Sequence, residues 1–199
     1  MKGRPNAFVN VPFDARYERL FVALLCGLAA AKTNPRCVLE IPDDGRGRLS
    51  RLCDLVAECP LSFHDLSRVT VSRKGGVPRF NMPFEIGIAC GLAYARGDHR
   101  FFVLEEAPFR IQRSLSDLNG IDPLIHGGTP KGMIREVMGC VTGTTQPPFA
   151  KVLRLHEHAS ERVSEIKRSY GVDTIFSRTP YLRTVIAINA IAERMGMSA

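Results

Sequence analysis

One stretch of the chain combines residue types that could break a bond to a sugar carbon: Asn81-Met82-Pro83-Phe84-Glu85-Ile86-Gly87-Ile88-Ala89-Cys90-Gly91. A single acid stands there at the opening of an otherwise apolar helix. Asn81 fits an N-cap and Pro83 a first-turn position, which places Glu85 inside the first turn. The helix dipole would there favour the ionised carboxylate by roughly 0.3–1 kcal/mol. A helix this apolar is expected to be buried, with its one acid turned to a cleft or a partner and Gly87 and Gly91 allowing a strand to come close. An ionised carboxylate at a cleft can attack, or electrostatically support, a sugar carbon developing oxocarbenium character. The plainer role for Glu85 is to cap free backbone N–H groups.

Asp65, followed by Ser67, closes the apolar run Leu61–Leu66. It could bond its own loop, or with Ser67 hold ribose hydroxyls or a base edge. Strand alternation turns His64 to the other face, where it reads as a packed histidine. Asp43 and Asp44 precede Gly45 in a turn, and no acidic group has metal-ligand spacing. Gly45-Arg46-Gly47-Arg48 lacks the GxxxxGK[ST] pattern but sets two arginines at a helix start, where a phosphate could dock. Gly75-Gly76 falls short of a dinucleotide fingerprint, which argues against an ordinary dehydrogenase or P-loop enzyme. Six cysteines without a CxxC pair point to buried, reduced thiols rather than a zinc site.

The elements that must position these groups alternate. Ala7–Val11, Arg36–Ile41, Leu61–Leu66 and Arg100–Leu104 read as strands. Helical spacing runs from Asp14, a candidate cap, to Lys32. It recurs from Leu49 to Cys59, from Pro83 to Ala95, and from the Thr129-Pro130 start to Val141. This order predicts an α/β protein, a three-layer α/β/α sandwich around a mostly parallel sheet. Gly143–Phe149 marks a boundary, so residues 1–142 read as the sheet domain and 143–199 as a helical extension. That extension is too short for its own core and must pack on the sheet domain or on a partner subunit; its apolar helices point to a homodimer. Ligands of open parallel sheets gather at the carboxyl ends of the strands. Those ends deliver Asn10, Phe13 and Asp14 from the first strand, and Glu40, Asp43 and Asp44 from the second. Asp65, Ser67 and Arg68 follow from the third, Glu105 and Glu106 from the fourth, and Asn81, Met82 and Glu85 from the helix start.

Composition narrows the classes. The chain has 199 residues, 45% of them hydrophobic and 24% charged, enough for one domain with an appendage. No apolar run reaches the ~18 residues of a membrane span. With no apolar stretch of signal length before Asp14, a soluble, cytoplasmic protein is expected. The net charge of +7 is divided as +4 over residues 1–150 and +3 over 151–199, not gathered into a stripe. Without Trp or aromatic–basic interleaving, it suits an anionic small molecule better than nucleic acid. A DNA-associated protein would rest on net charge alone and would bind duplex with steep salt dependence.

Asp65-Leu66-Ser67, a variable loop, then Phe84-Glu85-Ile86-Gly87-Ile88-Ala89 resemble the nucleoside 2-deoxyribosyltransferases. In that family an (F/M)ELG(Y/R)A-type segment carries the nucleophilic glutamate at a helix start, and a strand-end Asp-hydrophobic-Ser/Thr helps bind the nucleoside. Phe8-Val9-Asn10-Val11-Pro12-Phe13-Asp14 looks like the family's first strand and glycone-side loop. The chain is also similar to the TIR-like NAD-cleaving domains. The resemblance covers roughly residues 7–142 and implies a flavodoxin-like sheet and cleavage of a C1′–N bond, with Glu85 attacking or stabilising the anomeric carbon. Asn10, Phe13, Asp14, Asn81 and Met82 would line the site, and Asp65 with Ser67 would orient base or ribose.

Two departures stand out. Asn81-Met82-Pro83 replaces the usual small residue, and the loop is basic, with Arg68, Arg73, Lys74 and Arg79 suited to a nucleotide or NAD phosphate. A late polar cluster of Gln112, Ser116, Asp117, Asn119 and Asp122 supplies Asp117 and Asn119 as further candidates, since the transferases use a polar residue from a similar loop. The chemistry so implied calls for no metal and no cofactor. Its partner is a small nucleoside or nucleotide, not nucleic acid and not a membrane. The alternative is a module that binds a nucleotide without turnover and signals through its C-terminal helices.

Overall fold

The computed structural model describes residues 3–42, 45, 47–69, 80–111, 115–141 and 145–197. In chain order the elements are β1 (Asn6–Asn10), α1 (Glu18–Ala30), β2 (Asn34–Arg36), α2 (Arg48–Ala57), β3 (Leu61–Asp65) and α3 (Asn81–Arg96). They continue with β4 (Arg100–Glu105), β5 (Leu124–Ile125), α4 (Pro130–Cys140), α5 (Phe149–Tyr170) and α6 (Arg178–Arg194). The strands form one parallel sheet in the order β2-β1-β3-β4-β5. That is the flavodoxin-like order, and its direction reverses between β1 and β3.

The period-2 pleat sorts the strand residues between two helical layers. Ala7, Val9, Phe63 and Leu104 pack with Phe21, Leu24, Leu25 and Leu28 of α1 and with Met133, Ile134 and Val137 of α4. Phe8 faces the other way, onto Leu52, Leu55 and Val56 of α2 and Ala89 of α3, while Val103 meets Met82 and Ile86 of α3. The register sets Asn10 beside His64, so both face the α2–α3 side. Asp65, one residue on, faces α1.

Every residue of α1 except Arg19 is buried. A helix that is apolar all round must be covered all round. The second cover comes from the C-terminal hairpin, whose Val152, Leu155, Ala159, Tyr181, Ile188 and Ile191 join the same core. Glu18 fastens it: one carboxylate oxygen accepts from Lys167 Nζ at 2.7 Å and the other from the Ile175 amide at 2.9 Å. Glu18→Ala would orphan that buried amide. We expect a loss of about 2 kcal/mol, read as a Tm lower by roughly 4–8 °C in a thermal melt.

Several expected boundaries shift. The second strand is Asn34–Arg36 rather than Arg36–Ile41. It lies at the sheet edge, where Pro35 is tolerated. Beyond it Val38–Glu40 closes into a 3-10 turn held by Glu40, which accepts from Arg36 Nε at 2.6 Å and from the Cys37 amide. Asp14 does not cap α1; it accepts from the Arg16 and Tyr17 amides and so builds the turn ahead of the helix. Thr129 does cap α4, its hydroxyl accepting from the Gly132 amide, with Pro130 in the first position. The third helix is far less buried than its apolar sequence suggests. Met82, Glu85, Ile86 and Ala89 point inward, but Phe84 is exposed and Tyr94 is 90% exposed. A Cβ built on Gly87 or Gly91 would meet nothing, so these glycines face open space rather than a strand.

All six cysteines are free thiols, and burial pushes those of Cys37, Cys59 and Cys140 up to about 12. Among the described residues no helix is long and apolar enough to cross a membrane.

Candidate active site

At the carboxyl end of β1 a cavity of about 440 Å³ opens on the α2–α3 side. Asn10, Val11, Pro12 and Phe13 form its floor, Val38 and Arg48 one wall, and Phe80, Asn81, Met82 and Glu85 the other. Past Phe13, Val38 and Arg48 it runs into a second hollow of about 390 Å³, bounded further by Leu39, Ile41, Arg51 and Leu52. The pair sits beside the reversal of strand order, where this sheet topology leaves a crevice.

Asn10 ties the parts together. Its amide nitrogen donates to the Met82 carbonyl and to His64 Nδ1, each at 3.1 Å, so the start of α3 is pinned to β1 and β3. Both amide hydrogens are thereby committed, and the oxygen is what Asn10 offers the cavity. His64 accepts at Nδ1 and carries its proton on Nε2, which has no partner among the described residues. Burial pushes the ring down to about 3, so it stays neutral.

The cap of α3 is Phe80, not Asn81, and Asn81 is the first helical residue. Glu85 therefore falls in the second turn, where the dipole has largely decayed. Burial governs it instead. The side chain is 7% exposed, and desolvation pushes the carboxyl up to about 7, against a smaller downward pull from the Arg48 guanidinium. Among the described residues no group hydrogen-bonds or ion-pairs with it. The expected fully ionised carboxylate is thus corrected to one that is neutral and charged in comparable amounts near pH 7. Such a group can attack once ionised or donate a proton while neutral.

Asn10, Phe13, Asn81, Met82 and Glu85 line this one cavity. Asp65 and Ser67 do not. The pleat that brings Asn10 and His64 to the cavity side sends Asp65 to the opposite face, where it is 0% exposed. There Asp65 accepts from the Tyr17 hydroxyl, the Ser67 hydroxyl, the Ser67 amide at 2.9 Å and His126 Nε2 at 3.1 Å. The Gly128 amide donates to His126 Nδ1, which leaves the ring proton on Nε2 for Asp65 and Ser67. This network joins the ends of β3 and β5 to the start of α1 and lines neither of the two hollows.

Asp14 pairs with Arg68 at 3.3 Å outside the lining. Asp117 and Asn119 border a separate groove on the other flank of α3, with Gly87, Cys90 and Tyr94. Asp43, Asp44, Arg46, Arg73, Lys74, Arg79 and Gln112 lie outside the described residues.

Val38 and Phe80 belong to the lining without having been singled out from sequence. Val38 enters through the 3-10 turn that replaces a strand, and Phe80 through the earlier helix start. Two aromatics flank the opening, Phe13 partly exposed and Phe80 65% exposed. Phe13 in turn rests on Phe176 at 5.4 Å, in the connection between α5 and α6.

Comparison with protein-family models, with curated proteins and with solved structures finds no significant match for this chain.

Proposed function

We propose that the protein cleaves or transfers the N-glycosidic bond of a nucleoside, nucleotide or NAD-like molecule, with Glu85 meeting the anomeric carbon. The observation that carries this reading is a nearly buried carboxyl without a partner among the described residues, pushed up to about 7 by burial, on the wall of a cavity with an aromatic opening. The resemblance of residues 84–89 to a glutamate-bearing segment supports the same role.

In the reaction the C1′–N bond breaks with its electron pair leaving on the base. The ionised Glu85 oxygen forms an ester to C1′, or stabilises the oxocarbenium charge without bonding. Water, or a nitrogen of a second base, then attacks C1′, frees the carboxylate and yields the proton that the departed base takes up. The Asn10 oxygen accepts from a sugar hydroxyl, and the faces of Phe13 and Phe80 receive the base. Asp65 and Ser67 act only by fixing strand ends. No step calls on a metal or a cofactor.

Incubation with nucleosides, nucleotides and NAD, followed by chromatography for free base, tests the reading. Release from one of these classes is expected, and release from none overturns it.

The contact of Phe13 with Phe176 favours a second reading, in which an occupied cavity is felt by the C-terminal hairpin without turnover. A ligand that raises Tm yet is recovered intact would be its signature.

A further inference from the structure

Resting on that reading, we propose that the substrate is phosphorylated, and that Arg48 with the open N-terminal turn of α2 holds its phosphate. Arg48 is the first residue of α2 and lines both hollows, the one that contains Glu85 and the one beyond it. Among the described residues its guanidinium has no hydrogen-bond or ion-pair partner. The cap residue is Gly47, which has no side chain to accept from the first amides, and the first turn contains no acid. Among the described residues those amides meet no acceptor, so with the positive end of the helix they suit an anion.

Other observations point to a ligand here rather than to a bare helix end. Glu85 is nine-tenths buried on the wall facing Arg48 in the same cavity, with no hydrogen-bond or ion-pair partner among the described residues. Beyond Arg48 the second hollow is bounded by Phe13, Val38, Leu39, Ile41, Arg51 and Leu52, so among the described residues its lining carries two arginines and no acid. Arg51 spends a guanidinium nitrogen on the Pro42 carbonyl, which leaves Arg48 as the one that can swing to a ligand. The first hollow alone falls within the few hundred Å³ typical of small-molecule sites. A sugar at Glu85 and a base between the aromatics would occupy it, and the charged hollow next door takes what a bare nucleoside lacks. A planar guanidinium and convergent backbone amides match phosphate oxygens in number and direction.

The test compares each of the four common nucleoside 5′-monophosphates with its parent nucleoside. Dissociation constants would be measured at fixed low salt on the wild type, Arg48→Ala and Glu85→Gln. The monophosphate is expected to bind the wild type about tenfold tighter or more. Arg48→Ala, at an exposed position, should bring the ratio several-fold closer to one, while Glu85→Gln retains it. Inorganic phosphate should displace the monophosphate from the wild type. A wild-type ratio near one, or a ratio that survives Arg48→Ala, overturns the proposal. Failure of the glycosidic reading looks different: an intact phosphate preference with no base released supports the phosphate site and removes the chemistry.

Discussion

Glu85→Gln should lose about a thousandfold or more in base release and, at pH 8, gain stability. Both effects come from one buried carboxyl. Its ordinary value is 4.5, and in the fold it is pushed up to about 7. Between those values the folded chain holds a proton that the unfolded chain has shed. Stability therefore falls as pH rises through that window and levels off above it, by up to about 3 kcal/mol in total. Glutamine keeps the shape without the charge and escapes the loss. The variant should melt with the wild type near pH 4.5 and some 6–10 °C above it, at most, at pH 8. Wild-type base release should rise with pH through about 7, as the attacking form is populated. A release rate that falls through the same range would make Glu85 a proton donor instead, and release unchanged in the variant would remove it from the reaction.

Asp65→Ala is expected to be the most destabilising single change in the sheet, at about 3–5 kcal/mol. Removing the carboxylate strands the Tyr17 hydroxyl, the Ser67 hydroxyl and amide, and the His126 ring proton, all sealed from water. Denaturant titration should show a lower midpoint with an unchanged slope. Base release per folded molecule should stay near the wild-type value, because no atom of this network reaches the cavity. A variant of native stability that has lost turnover would return Asp65 to the substrate, the role its resemblance to the transferases suggested.

That contrast shows what the sequence could and could not reveal. Alternation of short apolar runs with helical spacing was enough for a parallel sheet with helices on both sides, and Thr129-Pro130 marked its helix start correctly. The two-residue β5 carries no period to detect, and β2 hides behind Pro35. Glu85, Asn10, Phe13, Asn81 and Met82 line one cavity because strand ends and a helix start meet at one edge of the sheet. Asp65 ends its strand at the same edge but stays away from them, because the pleat turns it to the other side of the sheet. Alternation sets His64 and Asp65 on opposite faces, but only the pairing of Asn10 with His64 shows which of those faces meets Glu85. The state of Glu85 was out of reach from sequence, since a shift of one helical position exchanged the dipole for desolvation as the dominant influence.

The placement of α1 between the sheet and the C-terminal hairpin bears on biogenesis. Glu18 awaits the amide of Ile175, and Phe13 awaits Phe176, partners more than 150 residues downstream. A growing polypeptide can form its strands early, but it must leave one side of α1 wet, and one lip of the crevice unsupported, until the α5–α6 hairpin has left the ribosome. Maturation of the pocket thus follows synthesis of that hairpin, and a truncation at residue 142 should yield a sticky, aggregation-prone fragment rather than a smaller folded domain.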